Sequence, residues 1–195
     1  MGDVTSVRPG VVEIKGSAIL ETIARIKEEF GADAHLSIVS ELAVGSRPVF
    51  QSMILPNGWY RLESFLDYIA VENRLLYKGD RSVILANSER IVERQLEGVY
   101  KLFTRDNSPG YVVGRIGIIH ASYFRGASLE VISSAPGRYV GRYKGFQACH
   151  RMFEFSISAF YRKALEKSGA KNVKAEFTTP MGSPNGYSEI TVTWA

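Results

Sequence analysis

The pair Cys149–His150 sets a thiol beside an imidazole within GFQACHRMFEF (145–155), and Cys149 is the only cysteine of the chain. These two side chains could be a nucleophile and its base, ligands for a metal or haem, or simply the start of a packed helix. Helical spacing decides against shared chemistry. Sequence neighbours on a helix point about 100° apart, whereas a proton or a metal is shared best at i,i+3 or i,i+4. Cys149 also leads the apolar residues Phe153, Ile157, Phe160 and Ala164, which recur at helical spacing. A cysteine on such a stripe packs more often than it reacts. The expected role is a buried seam, with the lining of a pocket as the functional alternative.

His120 falls between Ile116 and Tyr123 on a predicted helix with an inward apolar face. That placement reads as a core or interface histidine, with ligand contact or axial haem ligation as the alternative. His35 has no partner in the sequence around it. Trp59 and Tyr60 place two large rings at a predicted helix entry, where they wall a pocket or close the core. Arg138, Arg142 and Lys144, with Tyr139 and Tyr143 on opposite sides of the alternation, form the most basic and aromatic strand. Such residues suit an anion or nucleic-acid surface, and equally an edge strand protected from pairing. No G-x-S-x-G, phosphate-loop, H-E-x-x-H or paired-cysteine signature occurs. The candidate ligand-binding set is therefore Cys149, Phe153, Ile157, His120, Tyr123 and Trp59, with no catalytic or metal-ligating residue assigned.

The elements that must position these residues follow from periodicity. Residues 1–16 read as an arm or edge strand, with Val11 to Ile14 extended. Ile19, Ile23, Ile26 and Phe30 predict a first helix, and Leu36, Val39, Leu42 and Ala43 a second that SRPVF breaks at Pro48. Pro56-Asn57-Gly58 turns into a helix over about 61–78, with Leu62, Phe65, Leu66, Ile69 and Leu76 inward and Glu63, Asp67, Glu72 and Arg74 elsewhere. A long helical segment over about 81–104 buries Ile84, Ile91, Leu96, Val99, Tyr100 and Phe103. After the DNSPG loop, where Asn107 or Ser108 could cap, a helix over about 109–124 carries Gly114 and Gly117, which suggest close approach of a neighbour. SLEVISS and GRYVGRYKG flank APG as one β-hairpin, a strong helix spans about 149–168, and a second hairpin ends in YSEITVTWA. The fold class is α+β: N-terminal helices packed with a four-stranded antiparallel sheet made of two β-hairpins flanking a long helix. Residues 17–195 form one domain, with a helical part over 17–126 and a sheet-and-helix part over 127–195.

Composition bounds the function. With 195 residues, 45% hydrophobic and 23% charged, the chain can bury a substantial core. No apolar run approaches the roughly 20 residues of a membrane-spanning helix, and no secretory signal opens the chain. A lone cysteine suits a reducing cytoplasm. The net charge of +4 is interleaved rather than gathered into the stripe that nucleic acid requires, so nucleic acid is not an expected partner.

Two resemblances add to this reading. The segment from Leu129 to Ala195 has a cysteine near its helix start, then GAKNVKAEF (169–177), a variable turn and a final strand ending in Trp194. It is similar to the 4-vinyl reductase domain, of the superfamily shared with haem-nitric-oxide-binding sensors and a Golgi transport-complex subunit. Upstream, ILPNGWYRLESFLDYI (54–69) and EGVYKLF (97–103) resemble an uncharacterised myxobacterial-type family. The superfamily resemblance implies a ligand pocket between helices and sheet, often in a dimer, used in small-molecule sensing and signalling or in protein assembly. The further cysteines of the 4-vinyl reductase domain have no counterpart in Thr178 to Tyr187, and the sensors' Tyr-x-Ser-x-Arg haem signature does not occur. No motif therefore supports a cofactor, although a haem or another apolar ligand matches the implied pocket. The expected function is a non-enzymatic small-molecule-binding or regulatory module. The alternatives are a dimerisation or scaffold protein, a haem-based sensor and a cysteine-dependent enzyme. A homodimer or a protein partner is expected.

Overall fold

Val12 and Ile14 are fully buried, and the strand they flank and occupy organises the amino-terminal half. In the computed structural model, which describes residues 10–98, 101–104 and 108–195, β1 (Glu13–Lys15) is the middle strand of three. It pairs antiparallel with β2 (Trp59–Arg61) and with β3 (Phe124–Arg125), Ile14 facing Tyr60 on one side and Phe124 on the other. The expected edge strand is thus a central one. Trp59 and Tyr60 belong to a strand rather than to a helix entry.

Helix α1 (Gly16–Phe30) begins where β1 ends. Gly16 is required there, because a Cβ would stand 2.2 Å from the Leu55 carbonyl oxygen. Ile19, Ile23 and Ile26 are buried as their spacing predicts, whereas Phe30 is exposed at the helix end. After α2 (Ala32–Glu41), Pro48 sits in the first turn of the short α3 (Arg47–Gln51) instead of only breaking a helix. A proline is tolerated there because the first helical N–H groups have no intrahelical acceptor.

Helix α4 (Leu62–Tyr77) ends at Lys78, which takes a left-handed φ of 54°. Helix α5 (Arg81–Glu97) starts from Asp80, whose carboxylate accepts the Ser82 N–H at 2.9 Å. A single 3-10 turn follows over Lys101–Thr104. The predicted Val99 and Tyr100, and the loop residues Asp106 and Asn107, lie outside the described residues, as does the side chain of Phe103. Helix α6 (Pro109–Tyr123) follows Ser108, which holds the cap position without a side-chain bond. A Cβ at Gly114 or Gly117 would meet nothing within 4 Å. Among the described residues nothing packs closely on these glycines, contrary to the expectation from sequence.

The carboxy-terminal part matches the predicted architecture. Strands β4 (Ser128–Ala135), β5 (Arg138–Lys144), β6 (Lys174–Thr179) and β7 (Ser188–Thr193) form one antiparallel sheet in the order β4-β5-β7-β6. Two hairpins are joined through β5 and β7. Between them the chain makes a 3-10 segment (Ala148–Phe153) and helix α7 (Glu154–Lys167), which packs on the sheet and on α5. Tyr139 and Tyr143, four residues apart on a strand, share its buried face rather than lying on opposite ones. The Tyr161 hydroxyl of α7 lies 3.1 Å from that of Tyr143 and donates to that of Tyr139 at 3.4 Å, so three buried phenols satisfy one another. One apolar cluster runs from Val12 to Val192.

Candidate ligand cavity

Five helices leave a gap where they converge. Ala18, Thr22 and Arg25 recur one helical turn apart along α1, and Phe65, Ile69 and Glu72 do the same along α4. With α5, α6 and α7 they line a mainly apolar, partly open cavity of about 130 Å³. The small sheet contributes Ile14 and Phe124, and no residue of β4 to β7 lines the space. The pocket thus lies among helices and the three-stranded sheet, and the four-stranded sheet stands behind α7.

Four of the six candidate residues meet at this cavity: His120, Tyr123, Phe153 and Ile157. Cys149 and Trp59 do not. The segment that holds Cys149 is a 3-10 helix, so its period of about three residues carries the thiol out of register with the Phe153–Ile157 stripe. Cys149 is exposed, and its thiol is pushed up by partial burial and by Glu63, away from the reactive thiolate. Trp59 lies in a surface stack, with Lys15 Nζ 4.5 Å and the Arg125 guanidinium 4.2 Å from its ring.

His120 is buried against the rings of Phe124 and Tyr143, at centroid distances of 5.0 and 5.4 Å. Burial lowers its pKa from 6.5 to about 4, so the imidazole is neutral at physiological pH, and its Nε2 has no hydrogen-bond partner. Opposite charges occupy the α1–α4 wall. The Arg25 guanidinium bonds the Glu72 carboxylate, and also Glu29 Oε2 and the Tyr77 hydroxyl, each at 3.0 Å. Burial works to lower the Arg25 pKa, but Glu72 and Tyr77 together outweigh it and hold the value above the ordinary one. Burial lifts the Glu72 carboxyl despite Arg25. Glu72 was expected off the apolar face of α4; it lies on that face because Arg25 compensates it.

Helix α5 roofs the cavity and is clasped on both sides. Toward α1, Arg90 pairs with Glu29 at 2.8 Å and Arg94 with Glu28 at 2.5 Å. Toward α7, Glu89 pairs with Arg162 and Glu93 with Lys163 at 2.8 Å, while Ser88 and Ser156 share a hydrogen bond of 3.0 Å.

The other histidines are structural. His35 Nδ1 lies 2.8 Å from the Tyr68 hydroxyl. His150 is fully buried, and its Nδ1 accepts the Gln147 N–H at 2.9 Å, which places its proton on Nε2. That nitrogen faces Glu63 Oε1 at 3.3 Å without hydrogen-bond alignment. Ligand atoms of Glu63, Cys149 and His150 lie within 4.8 Å of one another, yet a metal needs a bare Nε2, so this tautomer disfavours ligation. On β5, Arg142 pairs with Glu189 at 3.0 Å and Lys144 with Glu130 at 3.1 Å, which neutralises most of the basic strand.

Sequence reasoning missed Arg25, Glu72, Asn73 and Asn87. The signal was present: Arg25 follows Ala18 and Thr22 by seven and three residues, and Glu72 follows Phe65 by seven, each a charge on a stripe position.

No protein-family model matches the chain, and no curated protein matches it. Solved structures do. The fold is similar to the Fe(II) unliganded H-NOX protein from K. algicida, with 14% identity, a TM-score of 0.64, and coverage of 93% of this chain and 97% of that one. An H-NOX protein from S. oneidensis in the Fe(II)NO ligation state gives 13%, 0.68, 93% and 99%. An oxygen-binding H-NOX domain related to soluble guanylate cyclases gives 10%, 0.64, 93% and 95%. At these identities the likeness establishes the fold. It spans the helical part as well as Leu129 to Ala195, where the sequence resemblance lay.

Proposed function

We propose that the chain is a non-enzymatic small-molecule-binding module whose ligand occupies the cavity among α1, α4, α5, α6 and α7. The observation that carries this reading is an apolar cavity of about 130 Å³ bordered by a neutral, unpartnered His120. Natural cores leave few voids larger than a water molecule, whereas dry cavities of about 150 Å³ take up benzene or xenon. A sensing or regulatory role in the cytoplasm accords with the lone cysteine, and among the described residues no helix is long and apolar enough to cross a membrane. The narrower kinships, to the 4-vinyl reductase domain and the myxobacterial-type family, rest on the quoted motifs alone.

Several of the similar structures are H-NOX proteins with Fe(II), and one concerns heme distortion, so haem is the first ligand to test against this cavity. His120 meets one requirement, a neutral imidazole with an unpaired buried nitrogen. Two others are unmet. A haem is at least drug-sized, and pockets for ligands of that size run from about 300 Å³ upward, against about 130 Å³ here. Among the described residues the only Lys or Arg in the lining, Arg25, is held by Glu72 and Glu29 and leaves no cation for two propionates. The residues do not fit a haem.

The test uses benzene as a cavity probe. At ten times its dissociation constant it stabilises the protein by about 1.4 kcal/mol, raising Tm by about 3–6 °C. Ile91→Trp, at a half-buried lining position, fills the space and removes the shift. If neither benzene nor phenol moves Tm, or if the Trp variant responds like the parent, the cavity is no binding site.

The scaffold reading keeps one observation of its own. Edge strand β4 exposes Val131 and Ile132 beside an unpaired backbone edge. Sedimentation that stays monomeric up to high concentration removes it.

A further inference from the structure

The cavity is ringed by buried polar groups that the protein does not satisfy. Arg25 Nε, Asn73 Oδ1, Asn87 Oδ1 and His120 Nε2 all lack hydrogen-bond partners, and all four side chains line this one space. Each residue is more than nine-tenths buried. An unpaired buried polar atom costs about 1–3 kcal/mol, so four around one cavity are expensive to leave without a partner. They are also complementary in kind: Arg25 Nε donates, the two amide oxygens accept, and a neutral imidazole nitrogen does either.

The charge at the site is already balanced. Glu72 and Glu29 compensate Arg25, Asn87 Nδ2 donates to Glu72 at 3.4 Å, and among the described residues Arg25 and Glu72 are the only Lys, Arg, Asp or Glu that line the cavity. A ligand anion would meet Glu72, and a ligand cation would meet Arg25. Either would enter an apolar space without a free counter-charge.

The geometry points to an uncharged ligand of roughly arene size that carries one hydroxyl or similar donor–acceptor group, held by an apolar cage and recognised by the amide oxygens and Arg25. This deepens the proposed function and rests on it. The hydroxyl donates to Asn87 or Asn73 and accepts from Arg25 Nε, after a small rotation of the side-chain amides. The apolar body lies against Ile116, Ile119, Phe153 and Ile157. No covalent step is involved.

The experiment titrates the intact chain with benzene, phenol, benzoate and benzylammonium at pH 7, following backbone amide NMR shifts. Phenol is expected to bind at least tenfold more tightly than the other three. The double variant Asn73→Leu/Asn87→Leu, which keeps the volumes and removes both amide acceptors, should bring phenol within threefold of benzene. Benzene binding as tightly as phenol overturns this inference and leaves the cavity reading intact. Tightest binding by either ion overturns it as well. If none of the four binds, both readings fall. The comparison among ligands on the parent protein stands even if the leucine variant does not fold.

Discussion

Two buried polar clusters lie on either side of α7, and they are built differently. Behind the helix, Tyr139, Tyr143 and Tyr161 turn their hydroxyls toward one another, and burial raises the pKa of each. In front of it, Arg25, Asn73, Asn87 and His120 keep polar atoms without partners. The first cluster is closed, and its hydrogen bonds specify how sheet and helix meet. The second is open on the cavity side. The same low-dielectric interior therefore serves structure where its polar atoms pair internally and, under the proposed function, recognition where they do not.

The largest effect should come from breaking the one internal compensation of the open cluster. Glu72→Ala leaves the Arg25 guanidinium buried without its main partner and should cost about 3–5 kcal/mol in urea unfolding. The double variant Arg25→Met/Glu72→Leu should recover most of that loss, because an apolar pair needs no compensation. A recovery of less than half would mean that the pair does more than neutralise itself.

His120 sharpens the comparison through pH. Its folded pKa of about 4 lies below the 6.5 of an exposed histidine. As pH falls, the unfolded chain takes up the proton first, so stability declines between about 6.5 and about 4 and levels off below. The total is about 3 kcal/mol. His120→Phe should remove that decline. His35, also lowered mainly by burial, is present in both proteins and cancels in the difference. Parallel pH profiles would show that the imidazole is hydrated after all.

In the closed cluster, Tyr161→Phe should cost about 1–3 kcal/mol, since it strands two buried hydroxyls. It should leave benzene and phenol affinity unchanged. A change in affinity would mean that the two clusters communicate, through α7 or through the ring contact of Tyr143 with His120.

Much of the closed side was legible from sequence. The stripe Phe153, Ile157, Phe160 and Ala164 announced α7, and the turns at Ala135-Pro136-Gly137 and Thr179 to Gly186 set off two hairpins that could join as one sheet. Of the open side, His120, Tyr123, Phe153 and Ile157 were read as ligand-facing and do converge. The three-stranded sheet was not readable, because strands of two or three residues carry no periodicity. Cys149 was misplaced because the same stripe gives no sign of where 3-10 winding becomes α. Arg25 and Glu72 escaped because a charge at a stripe position reads as an interruption until its opposite is found on another helix, 47 residues away.

The central place of β1 bears on how the molecule is made. Its neighbours sit near residues 60 and 124, so the short strand finds its second partner only once synthesis has passed residue 124. Until then Val12 and Ile14 are covered from one side at most. The helical roof consequently closes late in synthesis, and a fusion or truncation that burdens residues 10–15 should depress the yield of soluble protein more than its small size suggests.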